Sequence, residues 1–404
     1  MIQESTILNL LQKVIQKKLE NRVPAYYPLL TLLKRNKGVV MYNNEFYITE
    51  VTDGFSNIGQ FPVGAALTGG DTQDAQFKAT SKNLYAPVEV DDKTLQMLTN
   101  VPEGAIADFS SSKVAFMEKG ISREFNRTYF GDGTGALARA DGAGTTSTSL
   151  TVQGWDVDAS DISGSRHIRV NDYIKIGSGA AVQVTAKAGL VLTLSATRSW
   201  SDNDNIIKIS SDGQSADEMA GLGSLVVNTG TVQNVNLANY ENLQATVDTS
   251  SHSFATDKDH YMNLAWLETE EHREGNEIAV FMNKTNFAAY GKMLTALKQT
   301  AKSDEVVYGG VKHEDINKYL ALNWQGGKVF YDPDCPTKKV YIIEPSSFTI
   351  GDLGGGVKFA SALGSTVWQR ALGVTPKYEA VMRYYGNLIV KNPSANAVCS
   401  NYAA

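Results

Sequence analysis

The chain has 404 residues, of which 42% are hydrophobic, and 43 acidic against 37 basic side chains give a formal charge of −6. That apolar content excludes a wholly disordered chain, because disorder needs low hydrophobicity and high net charge, and the length allows two or three domains at roughly 100–200 residues each. The acidic balance argues against a dedicated nucleic-acid binder, which carries a basic domain or stripe.

In chain order, Ile7, Leu8, Leu11, Val14, Ile15 and Leu19 form one helical stripe. By itself the stripe reads as a surface helix packed on its own domain; the alternative is an arm that docks on a neighbour. Pro24 and Pro28 then break regular structure. Residues 39–90 read as two long β segments joined by a polar stretch carrying Gly54, Gly59, Gly64, Gly69 and Gly70. This stretch has too few bulky apolar residues for a core, so it is expected to lie against something else, with a neighbouring subunit as one candidate.

Ser110, Ser111 and Ser112 offer N-caps to a long helix with Val114, Met117, Ile121 and Phe125 at helical spacing, ending near Gly131. Residues 142–212 change character: Ser, Thr, Gly and Asp become dense and short alternating strands appear, which predicts a small inserted all-β module, barrel-like in form. From about 225 the pattern is mixed α/β. Helices are expected from Tyr240, over Asp259–Arg273, and after Asn283; strands are expected at 278–282, 328–331, 339–343, 379–385 and 387–390. The last two predict that the C-terminus pairs back into an earlier sheet.

Catalytic and metal-binding patterns are weak. Gly131-Asp-Gly-Thr-Gly135 lacks the Lys-Ser/Thr of a phosphate loop and follows a helix, so it reads as a helix stop and turn. Gly351-Asp-Leu-Gly-Gly-Gly356 has no helix behind it to offer a phosphate-binding N-terminus. Cys335 and Cys399 are the two cysteines; they form no zinc pattern and no disulfide framework, and a reducing compartment during folding is the simple reading. Glu268, Glu270, Glu271 and His272 read as a solvated face, and Asp332-Pro333-Asp334 as a turn between strands in preference to a cation site. There is no Gly-x-Ser-x-Gly elbow, and none of the five histidines is singled out as a base. No catalytic residue, cofactor or metal is therefore expected. The longest apolar runs fall short of the ~18 residues of a membrane-spanning helix, and the N-terminus lacks the pattern of a secretory signal.

The order of these pieces, an arm helix, a long β hairpin, a spine-like helix, an α/β domain and returning C-terminal strands, resembles the major capsid proteins of tailed bacteriophages, the Hong Kong 97-type fold. The residues that carry the resemblance are Gly120-Ile-Ser-Arg-Glu-Phe-Asn-Arg-Thr-Tyr-Phe-Gly-Asp-Gly-Thr-Gly135, Gly327-Lys-Val-Phe-Tyr-Asp-Pro-Asp-Cys-Pro336 with Val340-Tyr-Ile-Ile343, and Arg383-Tyr-Tyr-Gly-Asn-Leu-Ile-Val-Lys-Asn-Pro-Ser-Ala-Asn-Ala-Val398. The resemblance implies an α+β fold with an N-terminal arm (1–38), an E-loop hairpin (39–90), a P domain with the spine helix (91–141), the inserted β module (142–212), an axial A domain (213–375) and C-terminal strands (376–404).

It further implies self-assembly through pentamers and hexamers into an icosahedral head that encloses double-stranded DNA without tight specific binding. Assembly would take place in the bacterial cytoplasm, with scaffolding, portal and cement or decoration proteins as further partners and no membrane. A chain that starts at the arm with its own Met1 implies a separate scaffold or none. Some members of the family join an E-loop Lys to a P-domain Asn of another subunit; here Lys78 or Lys82 would meet Asn392 or Asn396, with Glu379 as base. Two other readings stay open: a tail or decoration protein of a virion, for which the helix at 110–129 and the α/β region are unexpected, and a hydrolase, which predicts a deep polar pocket with convergent titratable groups.

Overall fold

The computed structural model describes residues 27–33, 39–53, 73–91, 119–155, 163–210, 213–214, 217–273, 277–296, 307–308, 311–312, 321–325, 327–353, 356–359, 369–370 and 377–403. The helical stripe at 7–19, the Gly-rich stretch at 54–72, the Ser110–Ser112 caps with Val114 and Met117, Gly275 and His313 lie outside the described residues.

Helix α1 (Pro28–Leu32) leads to β1 (Val40–Tyr42), β2 (Glu45–Asp53), β3 (Gln73–Thr80) and β4 (Lys82–Asp91). β1, β2 and β3 form one antiparallel sheet. After Ser81 the chain leaves it, and β4 joins a second sheet by pairing with β23 (Lys377–Val390) from Lys82↔Gly386 to Asp91↔Lys377. The two strand-like stretches expected at 379–385 and 387–390 are thus one strand of 14 residues, about 46 Å at ~3.3 Å per residue. Its other edge is covered in series by β20 (Phe348–Asp352), β21 (Lys358–Phe359) and β22 (Gln369–Arg370).

Helix α2 (119–130) ends where Gly131 was expected to stop it: the Gly131 amide donates to the carbonyls of Arg127 and Thr128. Asp132 Oδ1 accepts from the amide and hydroxyl of Thr134, an Asx turn that reverses the chain. β5 (Ala136–Ala140), β6 (Gly144–Gln153), helix α3 (Ser163–His167), β7 (Tyr173–Ile176), β8 (Val182–Ala188), β9 (Val191–Trp200) and β10 (Asn205–Ile209) follow. The six strands close as a barrel in the order β10-β5-β6-β9-β8-β7. β5, which the sequence reading left outside the module, closes it. Leu150, Val152, Ile174, Val184, Leu192 and Ile206 fill its interior and are fully buried, the alternate residues of a period-2 pattern.

Helix α4 (Leu222–Leu225) and the short hairpin β11 (Thr231–Val232) and β12 (Val235–Asn236) come next. The helix expected from Tyr240 is a correction. Residues Glu241–Leu243 make one 3-10 turn, and β13 (Thr246–Ser253) then runs parallel to β24 (Ala397–Ala403). Thr246 and Val247 are β-branched and fit a pleated strand better than a helix. Helix α5 (His260–Glu268), β14 (Ala279–Met282) and helix α6 (Lys284–Ala296) follow, with Asn283 Oδ1 capping α6 by accepting from the Asn286 amide. The pair β15 (Val307–Tyr308) and β16 (Val311–Lys312), then β17 (Ala321–Trp324), β18 (Gly327–Tyr331) and β19 (Val340–Ile343) complete the strands. The six-stranded mixed sheet is ordered β13-β24-β19-β14-β18-β17, so the C-terminal strand sits inside it.

This mixed sheet is buried on both faces, which explains the uninterrupted apolar run of β14, all four residues of which are buried. Val280, Met282, Val329, Val340 and Ile342 face α5 and α6. Phe281, Phe330, Tyr341 and Ile343 face the opposite way, into the largest cluster. Helix α2 joins that cluster to the long-strand sheet: Phe130 meets Phe281 at 5.9 Å between ring centroids, and Phe125 meets Tyr384 at 4.8 Å. Burial of each such aromatic contributes roughly 1.5–3 kcal/mol, so α2 ties the two sheets together.

Candidate functional site

Three places carry the chemistry that could serve a function: the root of the hairpin, the seam between barrel and body, and the residues picked out as a cross-link set.

The root of the hairpin folds onto its own chain. Phe46, Ala75, Phe77 and Ala79 are buried, and the Lys78 amide donates to the Gln233 carbonyl at 2.8 Å. Phe46 lies so close to Gly351 that a Cβ there would come within 2.7 Å of the ring, so the hairpin seats only on glycine. Asn387, 4% exposed inside β23, fixes the bend between β3 and β4: its Nδ2 donates to the Thr80 carbonyl and its Oδ1 accepts from the Ala220 amide, both at 2.8 Å. The expectation that the Gly-rich stretch lies against something else concerns residues outside those described, whereas the root of the hairpin is seated on its own chain. The apolar residues Phe46 and Phe77 are covered by this chain's own body, while 54–72 lies outside the described residues. Met41 and Tyr42 remain exposed on the edge strand β1.

The barrel is bolted to the body by a buried polar cluster. Asn126 on α2 donates to Asp332 Oδ1 at 2.7 Å and to Asp334 Oδ2 at 2.8 Å. From α3, His167 Nε2 lies 2.9 Å from Asp334 Oδ1, and Arg166 Nη1 is 3.3 Å from the same oxygen while donating to the Pro333 carbonyl at 3.2 Å. Arg123 on α2 donates to the Arg166 carbonyl at 2.5 Å. Lys339 adds a cation–π contact over Trp155 at 5.1 Å. Burial, with the neighbouring Asp334 charge adding to it, pushes the Asp332 carboxyl up to about 8. Its Oδ2 is buried with no hydrogen-bond partner among the described residues, which favours the protonated, neutral acid. Burial also pushes Asp334 up, but His167, Arg166 and Asn126 outweigh it and hold that carboxyl below its usual range. Burial drives His167 toward its neutral form against the pull of Asp334. Asp332-Pro333-Asp334 is thus a turn, as expected, and also the receptor of the barrel. The Pro isolates two acids that strand-pattern reading treats as ordinary loop polarity.

A second buried ion group lies one turn away on α2. Arg127 contacts Glu124 at 2.7 Å and Glu218 at 2.6 Å, joining the helix to the strand-free segment before α4. Burial works against the Arg127 charge, but the two carboxylates together raise its pKa.

The cross-link candidates are distributed as follows. Lys78 pairs with Glu45 at 2.9 Å, with its Nζ 5.9 Å from the Tyr47 ring centroid; the hydrogen bond to Glu45 raises its pKa and favours the ammonium form. Lys82 pairs with Asp217 at 2.6 Å. Asn392 Nδ2 donates to the His272 carbonyl at 2.6 Å, and its Oδ1 accepts from the Ser394 hydroxyl. Asn396 is fully buried: its Oδ1 accepts from the Glu344 amide at 3.0 Å, and its Nδ2 donates to Ser347 Oγ and the Asn392 carbonyl, each at 2.9 Å. Glu379 stands in β23 opposite Glu89 of β4 and Gln369 of β22. Among the described residues no ion pair or hydrogen bond joins either Lys to either Asn within one chain. Asn387 and Gln233, which do the positioning at the hairpin root, were not among the candidates. The one sequence signal for Asn387 is a polar residue set inside the apolar run Tyr-Tyr-Gly-Asn-Leu-Ile-Val of β23; Gln233, between β11 and β12, carries none.

Histidines contribute to packing here. His252 is buried, 2.6 Å from Asp248 and stacked on Tyr261 at 3.6 Å. Glu268, Glu270 and Glu271 are exposed. Among the described residues no group of three or more His, Cys, Asp or Glu is placed to hold a metal ion, and no helix is long and apolar enough to cross a membrane.

No protein-family model matches the chain, and no curated protein matches it in sequence. Solved structures do match in shape. The capsid asymmetric unit of cyanophage A-1(L) is similar at 11% identity with a TM-score of 0.55, covering 94% of each chain. The procapsid of satellite phage P4 with its size determination protein matches at 10% identity and TM-score 0.43, covering 96% of this chain and 99% of that one. The capsid of a native GTA particle matches at 12% identity and TM-score 0.44, covering 94% and 91%. The assignment rests on the first of these, which spans nearly the whole of both chains: this polypeptide has the α+β fold of Hong Kong 97-type capsid proteins.

Proposed function

We propose that the chain is a major capsid protein that assembles through pentamers and hexamers into an icosahedral head enclosing double-stranded phage DNA. The observation that carries the reading is the likeness in shape to the cyanophage capsid subunit over 94% of the chain. In this reading the hairpin at 39–90 is the E-loop, α2 the spine helix, the two sheets the bodies of the P and A domains, and the barrel an insertion into the P domain. The role is structural and not catalytic, and the location is the virion, with assembly in the host cytoplasm.

The physics of the chain supports this reading. Ring contacts between copies are heterologous, one patch meeting a different patch on the next copy, and close when the rotation closes. Each contact need only be about the ~1,600 Å² of a standard interface or less, because a subunit that loses one contact stays tethered by the rest. A formal charge of −6 suits a container that does not grip its cargo, since strong DNA binding scales with the number of phosphates neutralised. Scaffolding, portal and cement proteins are the partners this function calls for. The covalent link belongs to the same proposal: Lys78 and Lys82 are both partly exposed, and of the two asparagines Asn392 is partly exposed while Asn396 is buried. Electron microscopy of the purified chain tests the assignment: shells or five- and six-fold rings support it, whereas tubes or spikes favour the tail or decoration reading.

A further inference from the structure

A cavity of about 550 Å³ lies where β4, the start of α2 and the barrel meet, a size typical of small-molecule sites. Its walls differ in chemistry. On one side are Tyr85, Pro87 and Met382 from the long-strand sheet; on the other, Arg123, Arg166, Arg169 and Lys208. Two carboxylates, Glu89 and Glu124, also line it.

Most of these charges are already committed. Glu124 is held by Arg127 at 2.7 Å, Lys208 by Asp172 at 2.8 Å, and Arg166 by Asp334 at 3.3 Å. Arg123 and Arg169 are the exceptions: among the described residues no carboxylate lies within ion-pair distance of either. Among the described residues Arg123 reaches only the Arg166 carbonyl, and its buried Nε meets no hydrogen-bond partner. Burial, followed by repulsion from Arg166, works against its charge. Guanidinium groups gathered around one space repel each other unless an anion lies between them. Their planar forks match phosphate oxygens. The opposite wall offers an exposed aromatic face and apolar surface for a flat ring.

We propose that this cavity binds a nucleotide, with its phosphate on Arg123 and Arg169 and its base against Tyr85, Pro87 and Met382. A free mononucleotide and an unpaired nucleotide of a single strand share this chemistry. The inference rests on the cavity and not on the shell reading.

The test is calorimetric titration of the full chain with adenosine monophosphate, with inorganic phosphate and with a short oligodeoxyadenylate. Arg169→Gln, at an exposed position, and Arg123→Gln are expected to weaken binding at least tenfold, while Lys284→Gln on the surface of α6 leaves it unchanged. If Arg123→Gln fails to fold, Arg169→Gln and Tyr85→Ala decide. Binding of the monophosphate that falls with these variants supports a free nucleotide as ligand. Binding of the oligonucleotide alone, with the same losses, supports the strand as its source. Inorganic phosphate binding as tightly as the monophosphate overturns the base contact and with it the proposal. So does binding that ignores both arginines, or no binding at all.

Discussion

His167 Nε2 and Asp334 Oδ1 meet at 2.9 Å inside the protein, and through this contact the barrel hangs on the turn that leaves the mixed sheet. The same carboxylate accepts from Asn126 of α2. Removing it strands three donors in a buried site, and breaking a buried pair of this kind costs about 3–5 kcal/mol. Asp334→Ala should therefore lower the stability of the whole chain by about 3 kcal/mol, and His167→Ala by less, since Arg166 remains. Chemical denaturation of the two variants checks the order.

The neighbouring Asp332 predicts a pH dependence of definite sign. Its carboxyl is raised to about 8 by burial, with Asp334 adding to it, against about 3.9 in an unfolded chain. Between these values the folded state holds a proton that the unfolded state has released. Its stabilising contribution is thus complete below about pH 4 and lost as pH rises through the folded value. His167, depressed by burial, acts on the other side. Below its unfolded value of ~6.5 the unfolded chain takes up a proton that the folded chain resists, so stability falls with acid. Calorimetry should show Tm falling between pH 6.5 and 9. Asp332→Asn, whose amide oxygen keeps the Asn126 and Asp334 contacts, should flatten that alkaline decline; an unchanged decline assigns it elsewhere.

Removing the barrel should not be neutral. Ala136 and Ile207 are paired neighbours at its base, so a short linker can close the gap. Yet deletion also removes Arg166 and His167 and leaves Asp334 facing Asn126 alone. We expect replacement of 136–209, the barrel with its closing strand β5, by such a linker to leave a folded but weakened chain, partly restored by adding Asp334→Asn. Particle yield and melting temperature of the two deletions make the comparison. Loss of all folding in both would contradict an inserted module.

Gly221 predicts a steric effect. A Cβ there would lie 2.3 Å from the Thr128 carbonyl oxygen and 2.5 Å from that of Gly131, so Gly221→Ala must push α4 off the end of α2. A backbone shift of this kind in a packed region costs typically 1–3 kcal/mol. Protection of the α2 amides in hydrogen exchange should drop in this variant.

Much of this architecture was legible in the sequence where one physical signal dominates. Alternation marked the barrel strands, since each buries one face. The long apolar runs marked β14, β18 and β19, since that sheet is covered on both sides. Gly131 marked the end of α2. What escaped were features made by distant segments meeting. β5 has no alternating pattern, because Ala136, Leu137 and Ala138 are all buried, and so the inserted module was read as starting after it, at 142. Asn126, His167, Asp332 and Asp334 are ordinary polar letters until the fold places them together. The Gly-rich stretch of the hairpin was read as lying against a neighbour because it is poor in bulky apolar residues; hidden from that reading was the seat of the hairpin root, where Phe46 packs on Ile389, more than 300 positions away.

Electron microscopy of particles from cells producing the chain tests the central claim most directly. We predict closed shells in which five- and six-membered rings of this subunit tile an icosahedral surface. A preparation holding only solitary, well-folded single chains under every assembly condition would contradict it.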